Sequence, residues 1–145
     1  MTRTELVVVD ASVAVKWYVP ERGSDHASGL LARGLRLLAP DLLLTEFGNT
    51  LWKKTRRGEL SPREAQHVVT AFASAPPIVL RPSVPLLTAA FEIATRFGRS
   101  VYDALYLALA VAEDCFLVTA DDRLVDSLHR TTLRPYVRRL SGSQT

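Results

Sequence analysis

Residues 100–114, SVYDALYLALAVAED, are apolar on almost every side of the helix they would form, with no charge between Asp103 and Glu113. Such a helix has no broad polar face to give to solvent and belongs deep in a packed domain. Short apolar segments elsewhere supply strands to pack it against. LVVV (6–9), LRLLAP (35–40), PPIVLRP (76–82) and CFLVTA (115–120) are too short for helices, and are β-branched, apolar or bracketed by proline. The third strand is expected over Ile78–Leu80, and RPYVRR (134–139) reads as a last edge strand.

Helical segments fall between these strands. A short helix is expected over Ser12–Tyr18, and a modest one over SDHASGLLARG (24–34), ended by Gly34. Asp41 reads as the cap of a helix Leu42–Arg57, with Leu43, Phe47, Leu51 and Lys54 along one stripe and Gly58 closing it. SPRE (61–64) combines a capping box with proline at the first helical position, so a helix should run to about Ser74. SVPLLTAAFEIATRFG (83–98) gives another, and Asp122–His129 a short last one. Strands spaced by helices predict an α/β domain with a mainly parallel central sheet, in which ligands gather outside the carboxyl ends of the strands. Asp10 and Asp121 each stand just past a strand, on that edge.

A chain of 145 residues fits one such domain. It is expected to span 1–140, with SGSQT (141–145) as a frayed tail. At 48% apolar and 23% charged residues the composition is that of a folded soluble protein. No apolar run is long enough to span a membrane and the N-terminus lacks a signal-peptide pattern, so the cytoplasm is the expected compartment. The single Cys115 excludes an internal disulfide and a cysteine-based zinc site, and reads as a small buried hydrophobe. A formal charge of +3 and a pI near 9.4 hint at a polyanionic partner. The basic residues cluster in KKTRR (53–57) and in the C-terminal fifth, at Arg123, Arg130, Arg134, Arg138 and Arg139.

Four carboxylates can be drawn together: Asp10, Glu46, Asp103 and Asp121. Each has a plain structural reading. Asp10 can cap the helix after it, Glu46 can face solvent, and Asp103 can complete a capping box with Ser100. Yet the helix that begins at Ser100 is wet only at its start, so a carboxylate there looks into a cleft. Converging carboxylates repel and raise one another's pKa, a cost that a divalent cation removes. Hard oxygen donors suit Mg2+ or Mn2+, which can activate water for phosphodiester hydrolysis. The histidines His26, His67 and His129 stand in no metal-ligand spacing, so zinc is not expected.

VVVDASVAVKW, LLLTEFGNTLWK, SVYDALYLALA and LVTADDRL, in this order and spacing, resemble the PIN-domain ribonucleases, especially the VapC toxins of prokaryotic toxin-antitoxin pairs. The resemblance covers nearly the whole chain. It implies a PIN-like, Rossmann-like α/β/α sandwich with a central, mainly parallel sheet. It also implies a metal-dependent ribonuclease that binds Mg2+ or Mn2+ through Asp10, Glu46, Asp103 and Asp121, supported by Ser12, Asn49 and Thr119. Implied partners are an RNA substrate, a VapB-like protein antitoxin and a second copy in a homodimer, without a membrane. Lys53, Lys54, Arg56, Arg57 and Arg123 are the candidates for RNA backbone contacts. Trp17, Tyr18 and Trp52 are aromatic candidates for base stacking. Asp122 is an acid beyond the family set. It stands three residues after Thr119, so TADD reads as a capping box in which Asp122 secures the last helix while Asp121 serves the metal.

A phosphorylatable receiver module shares the architecture, but its paired acids follow the first strand, whereas here that strand yields Asp10 alone. A non-catalytic PIN-like binding module would lack one of the acids. A PIN nuclease of RNA processing, with no antitoxin, is the alternative within the fold, and gene neighbourhood distinguishes it.

Overall fold

The computed structural model describes residues 4–140; the expected tail, 141–145, lies outside them. Five strands form one sheet: β1 (Leu6–Val9), β2 (Arg36–Pro40), β3 (Val79–Arg81), β4 (Leu117–Thr119) and β5 (Val137–Arg139). Their order is β3-β2-β1-β4-β5 and every pairing is parallel. Seven α-helices connect them: α1 (Ala11–Ala14), α2 (Ser24–Ala32), α3 (Leu42–Arg56), α4 (Pro62–Ser74), α5 (Leu87–Phe97), α6 (Val101–Ala112) and α7 (Asp122–Leu128).

The strand order fixes the layers. From β1 the chain steps outward through β2 to β3, then crosses back to β4 and on to β5. Parallel crossovers are right-handed, so reversing direction moves the helices to the other face of the sheet. Helices α1 to α4 cover one face and α5 to α7 the other. Contacts agree: α3 packs against α1 and α4, while α6 packs against α5 and against β1, β2 and β4. The α6 run Ala104–Ala110 is buried throughout, as its lack of a polar side requires. On the opposite face, Phe47 of α3 stacks on Phe72 of α4 at 4.1 Å between centroids, and Tyr18 stands edge-on to both at 5.7 Å.

Several boundaries depart from the sequence reading, each for a local reason. The first helix starts at Ala11 because Asp10 caps it, and it tightens after Ala14 into a 3-10 turn, Val15–Trp17, before Pro20. The third strand is Val79–Arg81 rather than Ile78–Leu80, with Pro40 paired to Arg81. Arg81 precedes Pro82, which favours extended backbone. Helix α5 is preceded by a separate 3-10 turn, Val84–Leu86, with Pro85 inside it. Asp41 is not a side-chain cap. Its backbone is already helical (φ −63°, ψ −16°), whereas a capping residue needs an extended backbone, and its carboxylate accepts from the Ser83 hydroxyl instead. The Ser61/Glu64 capping box forms in both directions. Gly98, in the left-handed region at φ +67°, ends α5 and lets α6 start three residues later.

Candidate active site

The chain leaves β1 toward one edge of the sheet and leaves β4 toward the other, so these neighbouring strands form the topological switch point, where a crevice opens beyond their carboxyl ends. Asp10 follows β1 there, and Thr119 ends β4 alongside it. The two strand ends are stapled by side chains. The Thr119 hydroxyl donates to Asp10 Oδ2 at 2.5 Å and accepts the Asp121 N–H at 3.0 Å. The Ser12 hydroxyl donates to Asp10 Oδ1 at 2.5 Å and accepts the Ala120 N–H at 3.0 Å. Oδ1 of Asp10 also takes the Val13 N–H at 3.3 Å, so Asp10 both caps α1 and faces the cleft. Thr119 is fully buried, which the two hydrogen bonds of its hydroxyl make tolerable.

A cleft of about 460 Å3 at this edge is lined by Asp10, Glu46, Asp103 and Asp121 together. Glu46 arrives from the second turn of α3, and Asp103 from the third position of α6, where Ser100 accepts its N–H at 3.1 Å. Asp121 stands at the start of α7. Burial pushes the Asp10 carboxyl up to about 6; the Ser12, Thr119 and Val13 hydrogen bonds offset part of that rise and the Glu46 charge adds to it. Burial also raises Glu46, with the Asp103 charge adding and the Tyr106 hydrogen bond opposing. Asp103 is raised by burial and then by Asp121, against Arg99 and Ser100. The four acids thus form a chain of mutual repulsion along one wall.

This donor set fits a divalent cation of hard character: it is all carboxylate oxygen, electrostatically frustrated, and open to water. Among the described residues no three His, Cys, Asp or Glu side chains close up into a ready-made ion cage. An ion here would complete its shell with water and substrate oxygens, as Mg2+ commonly does.

The supporting residues separate. Ser12 and Thr119 hold Asp10, while Asn49 is exposed on the cleft wall and bonds to none of the acids. Of the basic candidates, Lys53 and Lys54 line the cleft; Arg56, Arg57 and Arg123 are exposed away from that lining. Arg56 lies over the Trp52 ring at 5.0 Å, and Arg57 stands 3.9 Å from Glu59. Arg139 pairs with Asp122 and Asp126, and Arg138 covers Phe116 at 3.8 Å. Among the aromatics, Tyr18 belongs to the core cluster and Trp17 donates to the Ala27 carbonyl at 2.8 Å, while Trp52 is 54% exposed. Cys115 is a half-buried free thiol whose pKa burial raises, the opposite of an activated nucleophile.

Two corrections concern the last helix. TADD is not a capping box around Asp122. Asp121 itself caps α7, its Oδ1 accepting the N–H groups of Arg123 and Leu124 at 3.1 and 3.2 Å, and Asp122 is an exposed partner of Arg139. Thr119 is not the cap because α7 begins at Asp122, three residues further on, and the lone pair of its hydroxyl takes the Asp121 N–H instead. The sequence reading also missed Tyr106. Its buried hydroxyl donates to Glu46 Oε1 at 2.5 Å and so fixes that glutamate across the cleft. The available signal was its position one helical turn beyond Asp103, on the same face of α6. Lys16, inside the expected first helix, and Glu21, just past Pro20, also line the cleft and were missed because lone charges carry no pattern.

Comparison with known proteins falls on the same features. The PIN domain family model matches residues 7–127, a span that includes all four acids. Ribonuclease VapC3 of Pyrobaculum aerophilum is 36% identical over 83% of this chain and 92% of its own length. The crystal structure of PAE2754 from Pyrobaculum aerophilum superposes with a TM-score of 0.68 at 24% identity, covering 95% of this chain and 85% of that one. VapBC2 from Rickettsia felis, solved bound to a DNA fragment from their promoter, gives 0.65 at 16% identity, over 92% of this chain and 98% of that one. Those two likenesses speak for the fold, and the family model with the VapC3 identity speaks for descent: the chain belongs to the PIN-domain family, in its VapC ribonuclease group.

Proposed function

We propose that this chain is an endoribonuclease that uses Mg2+ or Mn2+ to hydrolyse RNA phosphodiester bonds, and that it is the toxin of a toxin-antitoxin pair. The observation that carries the reading is the convergence of Asp10, Glu46, Asp103 and Asp121 on one cleft at the sheet's switch point. These four would hold the ion. When bound, the cation supplies the positive charge that offsets their repulsion and polarises a phosphate oxygen.

The chain's own groups do the remaining work. Ser12 and Thr119 fix the Asp10 carboxylate in one orientation, so no ordering is required when a ligand arrives. Tyr106 occupies Oε1 of Glu46 and leaves Oε2 available to orient, and take a proton from, the attacking water. Asp103 and Asp121 close the far side. Lys53 and Lys54, on the cleft wall, offer contacts to phosphates beside the scissile one. Attack by water rather than by the ribose 2′-hydroxyl leaves a 5′-phosphate.

For partners, we read a VapB-like protein antitoxin that blocks the cleft, and a second copy in a homodimer. Val84, Leu87 and Phe91, spaced three and four residues apart, are 84%, 54% and 60% exposed and form an apolar row suited to covering by another chain. The decisive experiment incubates the purified chain with single-stranded RNA, with Mg2+, with Mn2+ and with chelator, and analyses the product ends. Metal-dependent cleavage with 5′-phosphate ends is expected; cyclic-phosphate ends, or cleavage undiminished in chelator, would overturn the mechanism. A small neighbouring gene whose product silences this activity is expected for the toxin reading, and its absence favours RNA processing.

A further inference from the structure

The acidic cleft does not end at the acids. Past Lys16, Glu21 and Ala120, which line both, it opens into a second cavity of about 620 Å3, walled by the loop and first turn leading into α2 on one side and by Asp122 and Leu140 on the other. At the junction Lys16, from the 3-10 turn after α1, and Lys54, from α3, are both held by the Glu21 carboxylate, at 3.1 and 2.6 Å. Their side chains are only 12% and 13% exposed. Two rotamer-rich side chains have therefore given up their freedom on folding, which is the condition for binding an anion without paying for it again.

A tether between loop and helix needs one ammonium. Here there are two, and they stand at the passage between cavities. Lys54 is shared between Glu21 and Glu59, but Lys16 spends one of its three N–H donors on Glu21 and takes no other side-chain bond among the described residues. Farther along, Arg22 and His26 line the second cavity, exposed, and neither has an ion-pair or hydrogen-bond partner among the described residues. Its acids are mostly engaged: Glu21 by the lysines, Asp122 by Arg139. Asp25 is left, in the first turn of α2, where the helix's positive end partly offsets it.

We propose that this second cavity is a subsite for single-stranded RNA running away from the scissile bond: Lys16 contacts a flanking phosphate, and Arg22 and His26 receive the next nucleotide. The inference rests on the ribonuclease reading above and adds to it the direction of the strand. Carboxylates at the cutting point repel a polyanion, so the affinity for RNA has to come from phosphates held away from them. An imidazole and a guanidinium also offer planar faces on which an unstacked base can lie, which duplex RNA cannot provide. Glu21 acts as a positioning residue that keeps both lysines in the passage.

The test compares kcat/KM for short and long single-stranded RNAs carrying the same cleavage point, extended on the 5′ side or on the 3′ side, for wild type, Lys16→Gln, Arg22→Gln and Glu21→Gln. Wild type should gain from extension on one side only. Lys16→Gln should cost the long RNA about tenfold more than the short one and flatten the salt dependence of its binding by about 0.7 in the log–log slope, the share of one phosphate contact to a single strand. Arg22→Gln, at an exposed position where the fold is not at stake, should cost the same long RNA selectively. Glu21→Gln should raise KM for the long RNA several-fold with kcat retained, which a general loss of folded protein would not do. Equal losses on short and long RNA in both Lys16→Gln and Arg22→Gln, or no advantage of extension on either side, would overturn the subsite while leaving the nuclease standing. Failure of wild type to cleave any RNA strikes the ribonuclease reading itself and takes the subsite with it.

Discussion

The acids at the strand ends and the acids on the helices are held in different ways. Asp10 and Asp121 are built into the backbone. Asp10 takes two hydroxyls and a backbone N–H, and Asp121 takes two backbone N–H groups while its own N–H goes to Thr119. Glu46 and Asp103 are held lightly, the first by Tyr106 and the second by the backbone geometry of its helix. The same chemical type thus carries both fold and site at the sheet edge, but mainly site on the helices. Substitutions at Asp10 and Asp121 mix stability with activity; those at Glu46 and Asp103 separate them.

The largest expected effect therefore comes with the cleanest interpretation. Asp103→Asn should lower RNA cleavage about a thousandfold, roughly 4 kcal/mol of barrier, without lowering the thermal midpoint, since the backbone half of the Ser100 cap survives and a like-charge repulsion is relieved. A drop in thermal midpoint that accounts for the lost activity would show that the helix acid is structural after all and remove the contrast. Loss of cleavage with intact melting in Asp103→Asn, beside a mixed loss in Asp121→Ala, would sharpen it.

Next in size is a pH effect that comparison with Asp10→Asn isolates at one strand-end acid. Burial raises Asp10 from 3.8 to about 6, so folding favours its protonated form. Its contribution to stability is greatest below pH 3.8 and is lost as pH rises through about 6, a loss of about 3 kcal/mol at neutrality. Metal-free wild type should accordingly lose stability relative to Asp10→Asn over that window, and Mg2+ or Mn2+ should restore it at neutral pH by binding the folded state alone. Parallel stability curves for the two proteins between pH 4 and 7 would refute the linkage. Thr119→Val tests the staple itself. It strips Asp10 Oδ2 and the Asp121 N–H of their shared partner and should cost about 2 kcal/mol, measured by denaturant midpoint at constant m.

The contrast between the two regions also marks what the sequence discloses. The alternation of strand and helix, the all-round apolar character of α6 and the SPRE box are local signals, and each forms where the pattern lies. Part of the gathering of the acids was legible too: a parallel sheet sends Asp10 and Asp121, just past their strands, to one edge, and the wet start of α6 carries Asp103. What escaped was the assignment of partners. Tyr106 and Glu46 are sixty residues apart in the chain, and Lys54 and Glu21 thirty-three. Nothing in a single sequence pairs them. Asp41 had the residue type of a cap but a helical backbone, which spacing does not reveal. The same limit explains the two aspartates of α7: their order shows that one of them caps, while the choice depends on where the Thr119 hydroxyl already points.

That choice makes the smallest prediction and the sharpest. With the Thr119 hydroxyl accepting the Asp121 N–H and α7 starting only at Asp122, the orphan N–H groups at the start of α7 fall to Asp121, whose Oδ1 takes two of them. Asp121→Ala should cost about 1 kcal/mol of stability, the usual worth of a lost cap, as well as activity. Asp122→Ala removes only an exposed ion pair with Arg139, and pairs of that kind are worth little in solution, so its unfolding curve should overlay wild type in moderate salt. Asp121→Asn divides the two roles of the residue, because an amide oxygen still accepts the Arg123 and Leu124 N–H groups while the charge is gone: stability should largely return and cleavage should not. If instead Asp122→Ala is the destabilised variant and Asp121→Ala melts like wild type, the cap lies one residue later, and the strand-end acid at β4 is as lightly held as those on the helices.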